Sequence, residues 1–231
     1  MTTHVSPPLP ADAVLPGDAS APPALLMSSS QNVLPRIREP ETDLTIWQRT
    51  LPDDLVRWIS ELPAHLLPNG RVLARLRDMD SALGSIFHAC GTPGGAMHTA
   101  LKSDIMRLAR IFARIADVPL VDLRIEAIDD DACKKFHRDS VPFRLLVTYR
   151  GPSTQWVLPC DAERAIASQR DFDGPIKEIP IGSVALFRGA LGAANRGVVH
   201  RSPPIAGTGI TRLFLCLNVP SAASPDPWNG A

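Results

Sequence analysis

The chain has 231 residues and a mass of 25.0 kDa, enough for one sizeable core with a tail or for two small domains. Its 24 basic and 24 acidic residues cancel, which excludes the basic excess of a dedicated nucleic-acid binder. No stretch approaches the roughly 18 consecutive apolar residues of a membrane helix, and residues 1–16 hold no Lys or Arg of a secretory leader, so a cytoplasmic protein with no membrane partner is expected.

Residues 1–43 read as a disordered or extended tail, because Pro recurs at 7, 8, 10, 16, 22, 23, 35 and 40 among Ser, Ala and Thr. From 44 to 117 the apolar spacing is helical. Leu51, Leu55, Trp58, Ile59 and Leu62 form one stripe, with Asp53 and Asp54 in its first turn. Met79, Leu83, Ile86, Phe87 and Cys90 form a second, stopped by Gly91, Pro93 and Gly94. Leu101, Ile105, Leu108, Phe112 and Ile115 form a third, backed by a solvated face of Lys102, Arg107, Arg110 and Arg114.

After Pro119 the period becomes two. Val121, Leu123, Ile125 and Ala127 alternate with Asp122, Arg124 and Glu126, as on a half-buried strand. Further strands are expected at 144–150, 154–158, 183–188, 197–200 and 211–219, separated by Gly, Pro and Asp clusters. Helices followed by many short strands indicate an α+β chain with a helical layer on an antiparallel sandwich or barrel over 118–220. Residues 221–231 read as a C-terminal tail.

His137 and Asp139 stand at i and i+2 of an extended segment, so both side chains reach one side. His200 closes a later strand. Two imidazoles and one carboxylate on one face of a metal leave the opposite positions open, the arrangement of non-haem Fe(II) oxygenases; zinc or manganese fits the same donors. The alternatives are satisfied histidines with Asp139 in a turn, or a closed zinc site that adds Cys133. The other cysteines, Cys90, Cys160 and Cys216, form no C-x-x-C pair and read as apolar fillers. His65, His88 and His98 share no spacing, and Trp156 reads as core. Arg144 and Arg150 are expected to pair with Asp129–Asp131 or Glu126, or else to bind an anionic substrate. Ser202 has no acid partner arranged for a triad, which disfavours hydrolase chemistry.

The order His137-x-Asp139, His200, then Arg212 on the following strand resembles the jelly-roll core of Fe(II)/2-oxoglutarate dioxygenases. The run Asp130–Asp139, then Arg144–Pro152, and His200-Arg201-Ser202-Pro203-Pro204 with Gly207-Thr208-Gly209 resembles the domain of unknown function 1826 family over about 44–220. The first resemblance implies a double-stranded β-helix of cupin-like form, Fe(II) held by His137, Asp139 and His200, and 2-oxoglutarate clamped by Arg212. Where that pattern has a hydroxyl two residues past the arginine, this chain has Phe214, and Tyr149 or Ser202 is assigned to supply one. The implied activity is oxidation of an unknown small-molecule or protein substrate. The rival is a non-catalytic metal-homeostasis protein handling zinc on the same barrel.

Overall fold

The computed structural model describes residues 24–192 and 197–230. In chain order the elements are β1 (Ala24–Ser28), β2 (Thr42–Trp47), α1 (Asp53–Glu61), β3 (Gly70–Arg75), α2 (Met79–Ala89) and α3 (Ala96–Ala116). There follow β4 (Leu120–Ile128), β5 (Phe143–Arg150), β6 (Gln155–Trp156), α4 (Ala162–Ser168), β7 (Lys177–Glu178), β8 (Val184–Arg188), β9 (His200–Arg201) and β10 (Arg212–Asn218). A seven-stranded sheet runs β1-β2-β8-β5-β10-β4-β3, and a three-stranded sheet runs β7-β6-β9. The pairings are antiparallel except β1 with β2.

The helices form where the stripes place them, and each buries its apolar side. Leu55 and Ile59 of α1, Leu83 and Phe87 of α2, and Leu101, Ile105, Leu108 and Phe112 of α3 are buried. They pack on Leu123, Leu145, Val147, Leu213, Leu215 and Leu217 of the larger sheet. The α3 helix ends at Asp117, whose φ of 55° is the left-handed turn that Asp tolerates better than most side chains.

The sheet's other face carries Leu44, Ile46, Leu146, Ala185, Phe187, Phe214 and Cys216, packed against Trp156, Ile179 and Val198 beneath the smaller sheet. The larger sheet is thus covered on both faces, which explains why β10 reads as a continuous apolar run rather than an alternation. Phe136, Val157, Ala162, Ala165, Phe172 and Val199 form a third cluster. Among the described residues no helix is long and apolar enough to cross a membrane.

Three expectations are corrected. The first 23 residues of the expected tail lie outside the described residues, but from Ala24 the chain builds β1, a 3-10 stretch over Gln31–Arg38, and β2. Leu34 and Ile37 in that stretch are completely buried, because Pro35 fits a 3-10 turn and the two flanking strands hold no proline. Second, the layer expected to be helical over 44–117 contains most of β2 and all of β3. Both extend the sheet at its two sides, and β2 is buried along its whole length and so carries no period-two signal. Third, the C-terminal segment covers the edge of β3. Pro227 bridges Leu73, and the Trp228 amide donates to the Leu73 carbonyl at 2.7 Å, which masks an otherwise open strand edge.

Candidate metal centre

The loop between β4 and β5 brings His137 against His200. Each residue's amide donates to the other's carbonyl at 3.0 Å, an isolated antiparallel bridge. Residues directly opposite in such a pair share a face, so the two rings lie 4.6 Å apart between centroids. Asp139, two residues on, turns its carboxylate to the same point. Its backbone is held by the segment after β8, since the Ala190 amide donates to the Asp139 carbonyl at 2.8 Å. Gly189 makes this approach feasible, because a Cβ there would lie 2.0 Å from the Val141 carbonyl oxygen. That glycine belongs to the site's scaffold, and only the close backbone approach reveals it.

The three ligand atoms lie within 4.8 Å of one another, and among the described residues this is the one such cluster of His, Cys, Asp or Glu. His137 Nε2 stands 3.6 Å from Asp139 Oδ1 and His200 Nε2 3.4 Å from Oδ2. These separations are long for hydrogen bonds. They are close to the roughly 3 Å between neighbouring donors around an ion with bonds of about 2.1 Å. Asp139 Oδ2 is buried and accepts no hydrogen bond. His137 Nδ1 lies 2.8 Å from the Lys135 carbonyl and His200 Nδ1 3.0 Å from the Val198 carbonyl. A carbonyl only accepts, so each Nδ1 carries the proton and each Nε2 lone pair faces Asp139. The donors therefore fit one divalent ion.

Charge at the site is already arranged. Burial pushes the Asp139 carboxyl up, but His200, His137 and Arg144 together overcome it and hold the group low, at about 2. The neighbouring Asp139 carboxylate raises the His137 pKa, whereas burial lowers that of His200. Arg144 Nη1 donates to Asp139 Oδ1, and its Nε donates to Asn218 Oδ1 at 2.7 Å. Arg144 therefore fixes which carboxylate oxygen is left for an ion. The expected partners of the two arginines on β5 are replaced: Arg150 Nη1 donates to the Leu62 carbonyl at 2.7 Å, past the end of α1, where a cation suits the helix dipole.

A cavity of about 100 Å³ opens beside the cluster, lined among others by His137, His200, Arg144, Cys133, Ser202 and Phe214. Cys133 is exposed and stands outside the three-donor cluster. The Ser202 amide donates to the Cys133 carbonyl at 3.0 Å, so the two residues border the cavity together. Arg212 is completely buried, with Nε donating to the Pro152 carbonyl at 2.7 Å. Its Nη1 and Nη2 are buried without a hydrogen-bond partner, and its guanidinium lies 5.3 Å from the Phe214 ring. Burial pulls its pKa down to about 10.

Tyr149 does not reach this site. It projects from the opposite face of β5 into the helical layer, where its hydroxyl donates to Asp104 Oδ2 at 2.7 Å beside Arg49. Burial raises its pKa well above the usual phenol value. Its place is structural, because odd-numbered residues of β5 face the helices while Arg144 and Leu146 face the smaller sheet.

Asp131 ties the segment leading to Ala132 and Cys133, which line the cavity, to the turn at Ile205 and Ala206. Its Oδ1 accepts from the Ile205 and Ala206 amides at 2.8 and 2.9 Å, and Lys134 pairs with its Oδ2 at 2.9 Å. Those bonds hold its carboxyl at about 2, below the ordinary 3.8. A depressed folded value means that the contribution is complete above the unfolded value and is lost as pH falls through about 2. Amide exchange at Ile205 and Ala206 should therefore quicken, relative to the core, as pH drops from about 4 towards 2. Asp131→Ala, which removes the accepting oxygen, should show that fast exchange already at neutral pH, and unchanged protection in the variant would refute the tie.

The sequence profile of the family described as "Protein of unknown function (DUF1826)" matches residues 28–218. No curated protein matches. Among solved structures the chain is similar to AviO1 from Streptomyces viridochromogenes Tue57, at 16% identity and a TM-score of 0.37, over 85% of this chain and 97% of that one. It is similar to the dioxygenase for auxin oxidation 1 of Arabidopsis thaliana with 2-oxoglutarate, at 11% identity and TM-score 0.39, over 76% of each chain. A third is a prolyl-4-hydroxylase of Pseudomonas putida, at 14% identity and TM-score 0.31, over 69% of this chain and 94% of that one.

Proposed function

This chain belongs to the DUF1826 family of proteins of unknown function, and we propose that it is a mononuclear Fe(II)/2-oxoglutarate-type oxygenase acting on an as yet unidentified substrate. In the larger sheet β4, β10, β5 and β8 are neighbours in that order, and in the smaller one the His137 segment joins β9, β6 and β7. That order supports reading the two sheets as a double-stranded β-helix. One apolar cluster links the helices to β3, β4, β5, β8 and β10 of the larger sheet, which supports a single domain.

The observation that carries the enzymatic reading is the buried guanidinium of Arg212, with two nitrogens lacking partners, beside the ring of Phe214, which lines the cavity at the three-donor cluster. A desolvated cation without a counter-charge is costly unless a ligand completes it. Fe(II) with 2-oxoglutarate supplies the means to use O₂ as oxidant. This chain's residues do the rest. His137, Asp139 and His200 would hold the ion, and Arg144, steadied by Asn218, occupies one Asp139 oxygen and leaves the other for it. Arg212 would receive the far carboxylate of 2-oxoglutarate. Ile128, Leu146 and Phe214 keep water from the reacting centre. The Ser202 hydroxyl is the remaining candidate for a polar contact there, in place of the one assigned to Tyr149.

The alternative of a zinc-handling protein would close the site with a fourth protein ligand, and Cys133, which lines the same cavity but stands outside the three-donor cluster, would have to move onto the ion to supply it. Succinate release decides between the two. The Fe(II)-loaded protein with 2-oxoglutarate in air should form succinate slowly even without its substrate, measured by mass spectrometry, and lose this when either component is withheld. A loaded protein that forms none refutes the oxygenase reading.

A further inference from the structure

We propose that the primary substrate carries an anionic group, a carboxylate or a phosphate, received by Arg124 at the floor of the metal-site cavity. The inference rests on the oxygenase reading and names the substrate class for it. On β4, Leu123 and Ile125 face the helices, so Arg124, Glu126 and Ile128 face the smaller sheet, and all three line the cavity. Arg124 pairs across β10 with Cys216, and Cys216 with Leu146 of β5. Arg144 occupies the next row, opposite Asn218. Two guanidiniums thus stand on either side of the Cys216 thiol. Burial pushes that thiol up, and Arg144 and Arg124 both pull it down.

Arg124 is poorly matched by the protein itself. Its Nε lies 3.3 Å from Glu126 Oε2, yet that nitrogen is buried and makes no aligned hydrogen bond. The two side chains keep 32% and 29% of their surface open, while Ile128, Leu146 and Phe214 supply apolar wall around them. An ion pair in an apolar recess costs desolvation that imperfect geometry does not return. The other arginines lining it are committed, Arg144 to Asp139 and Arg201 to Gln155 Oε1 at 2.9 Å and the face of Phe136, while Arg212, outside the lining, is assigned to the cosubstrate. With a divalent ion bound, positive charge in the recess exceeds that of Glu126, Asp139 and a doubly charged cosubstrate. Such a recess concentrates anions. Its volume of about 100 Å³ admits the charged end of a substrate rather than a large molecule.

The test uses inorganic phosphate as probe, titrated calorimetrically into the full chain freed of metal by a chelator. Saturable binding is expected, weakened at least tenfold in Arg124→Gln. Glu126→Gln removes the competing carboxylate and should tighten binding about threefold or more, a direction that misfolding cannot produce. Arg212→Met should retain binding that is still lost on adding Arg124→Gln. The proposal is overturned if wild type shows no saturable binding, if Arg124→Gln binds as tightly as wild type, or if Glu126→Gln fails to tighten. It is equally overturned if Arg212→Met alone abolishes binding, since the anion then occupies only the clamp. Acetate in place of phosphate distinguishes a carboxylate from a phosphate. Metal binding is measured separately on the same protein, so its absence would remove the oxygenase reading while the anion site stood or fell on the phosphate titrations.

Discussion

His200→Ala is expected to abolish stoichiometric metal binding, and His137→Ala to do the same, while Cys133→Ser leaves binding nearly intact. Each histidine supplies an Nε2 whose direction is fixed by a backbone carbonyl on Nδ1. Loss of an outer-shell partner alone typically costs tenfold to a hundredfold in metal affinity. Removing a ligand outright should therefore cost at least a hundredfold, about 2.7 kcal/mol or more. Equilibrium dialysis against Fe(II) under anaerobic conditions, or against Zn(II), reads this directly. His200 is buried, so its loss also opens a cavity, whereas His137 is a third exposed at its side chain. Agreement between the two variants separates ligand loss from unfolding. Loss of metal in Cys133→Ser would instead place the thiol on the ion and favour the zinc-handling alternative.

The metal cluster is legible in the sequence because its geometry is short-range. His137 and Asp139 share a side by strand parity alone, and His200 follows a Val-Val run that reads as a strand, although in the structure it opens β9. Arg144 is visible there only as a strand charge expected to pair with Asp129–Asp131 or Glu126 or to bind an anionic substrate. Its pairing with Asp139 depends on a loop that turns back on itself, which residue spacing does not encode. Tyr149 is misassigned from sequence although parity holds the answer: on β5 it lies on the face opposite Arg144, so it cannot serve the metal side while Arg144 does. The helices are legible because each shows one apolar stripe to the core. Strand β2 is not, because it is buried on both faces, and β3 is not, because its six residues run into helical neighbours. Gly189 is unreadable for a different reason. Its role is a backbone clearance against the Val141 carbonyl, from a segment far away in sequence.

Arg212→Met should weaken 2-oxoglutarate binding to the metal-loaded protein by about tenfold to a hundredfold, with metal binding preserved. Arg212 is the largest completely buried side chain, and its two terminal nitrogens lack hydrogen-bond partners. A charge-assisted contact from it to a carboxylate would contribute roughly 1.5–3 kcal/mol, which sets the expected loss. Methionine is of similar length and adapts to irregular space, so it fills the site without the charge. Replacing a desolvated, uncompensated cation by an apolar side chain is often neutral or stabilising. The bond from Nε to the Pro152 carbonyl is lost, a cost of about 1 kcal/mol that opposes this gain. The variant should thus unfold within about 1 kcal/mol of wild type in denaturant, while calorimetry under anaerobic conditions shows the weaker cosubstrate. Succinate release should fall in parallel at low 2-oxoglutarate and recover partly when its concentration is raised, as expected for lost binding rather than a damaged metal site. Equal 2-oxoglutarate affinity in wild type and Arg212→Met would remove the clamp from the site. A large loss of stability without loss of binding would instead make Arg212 a structural cation whose partner is the protein itself.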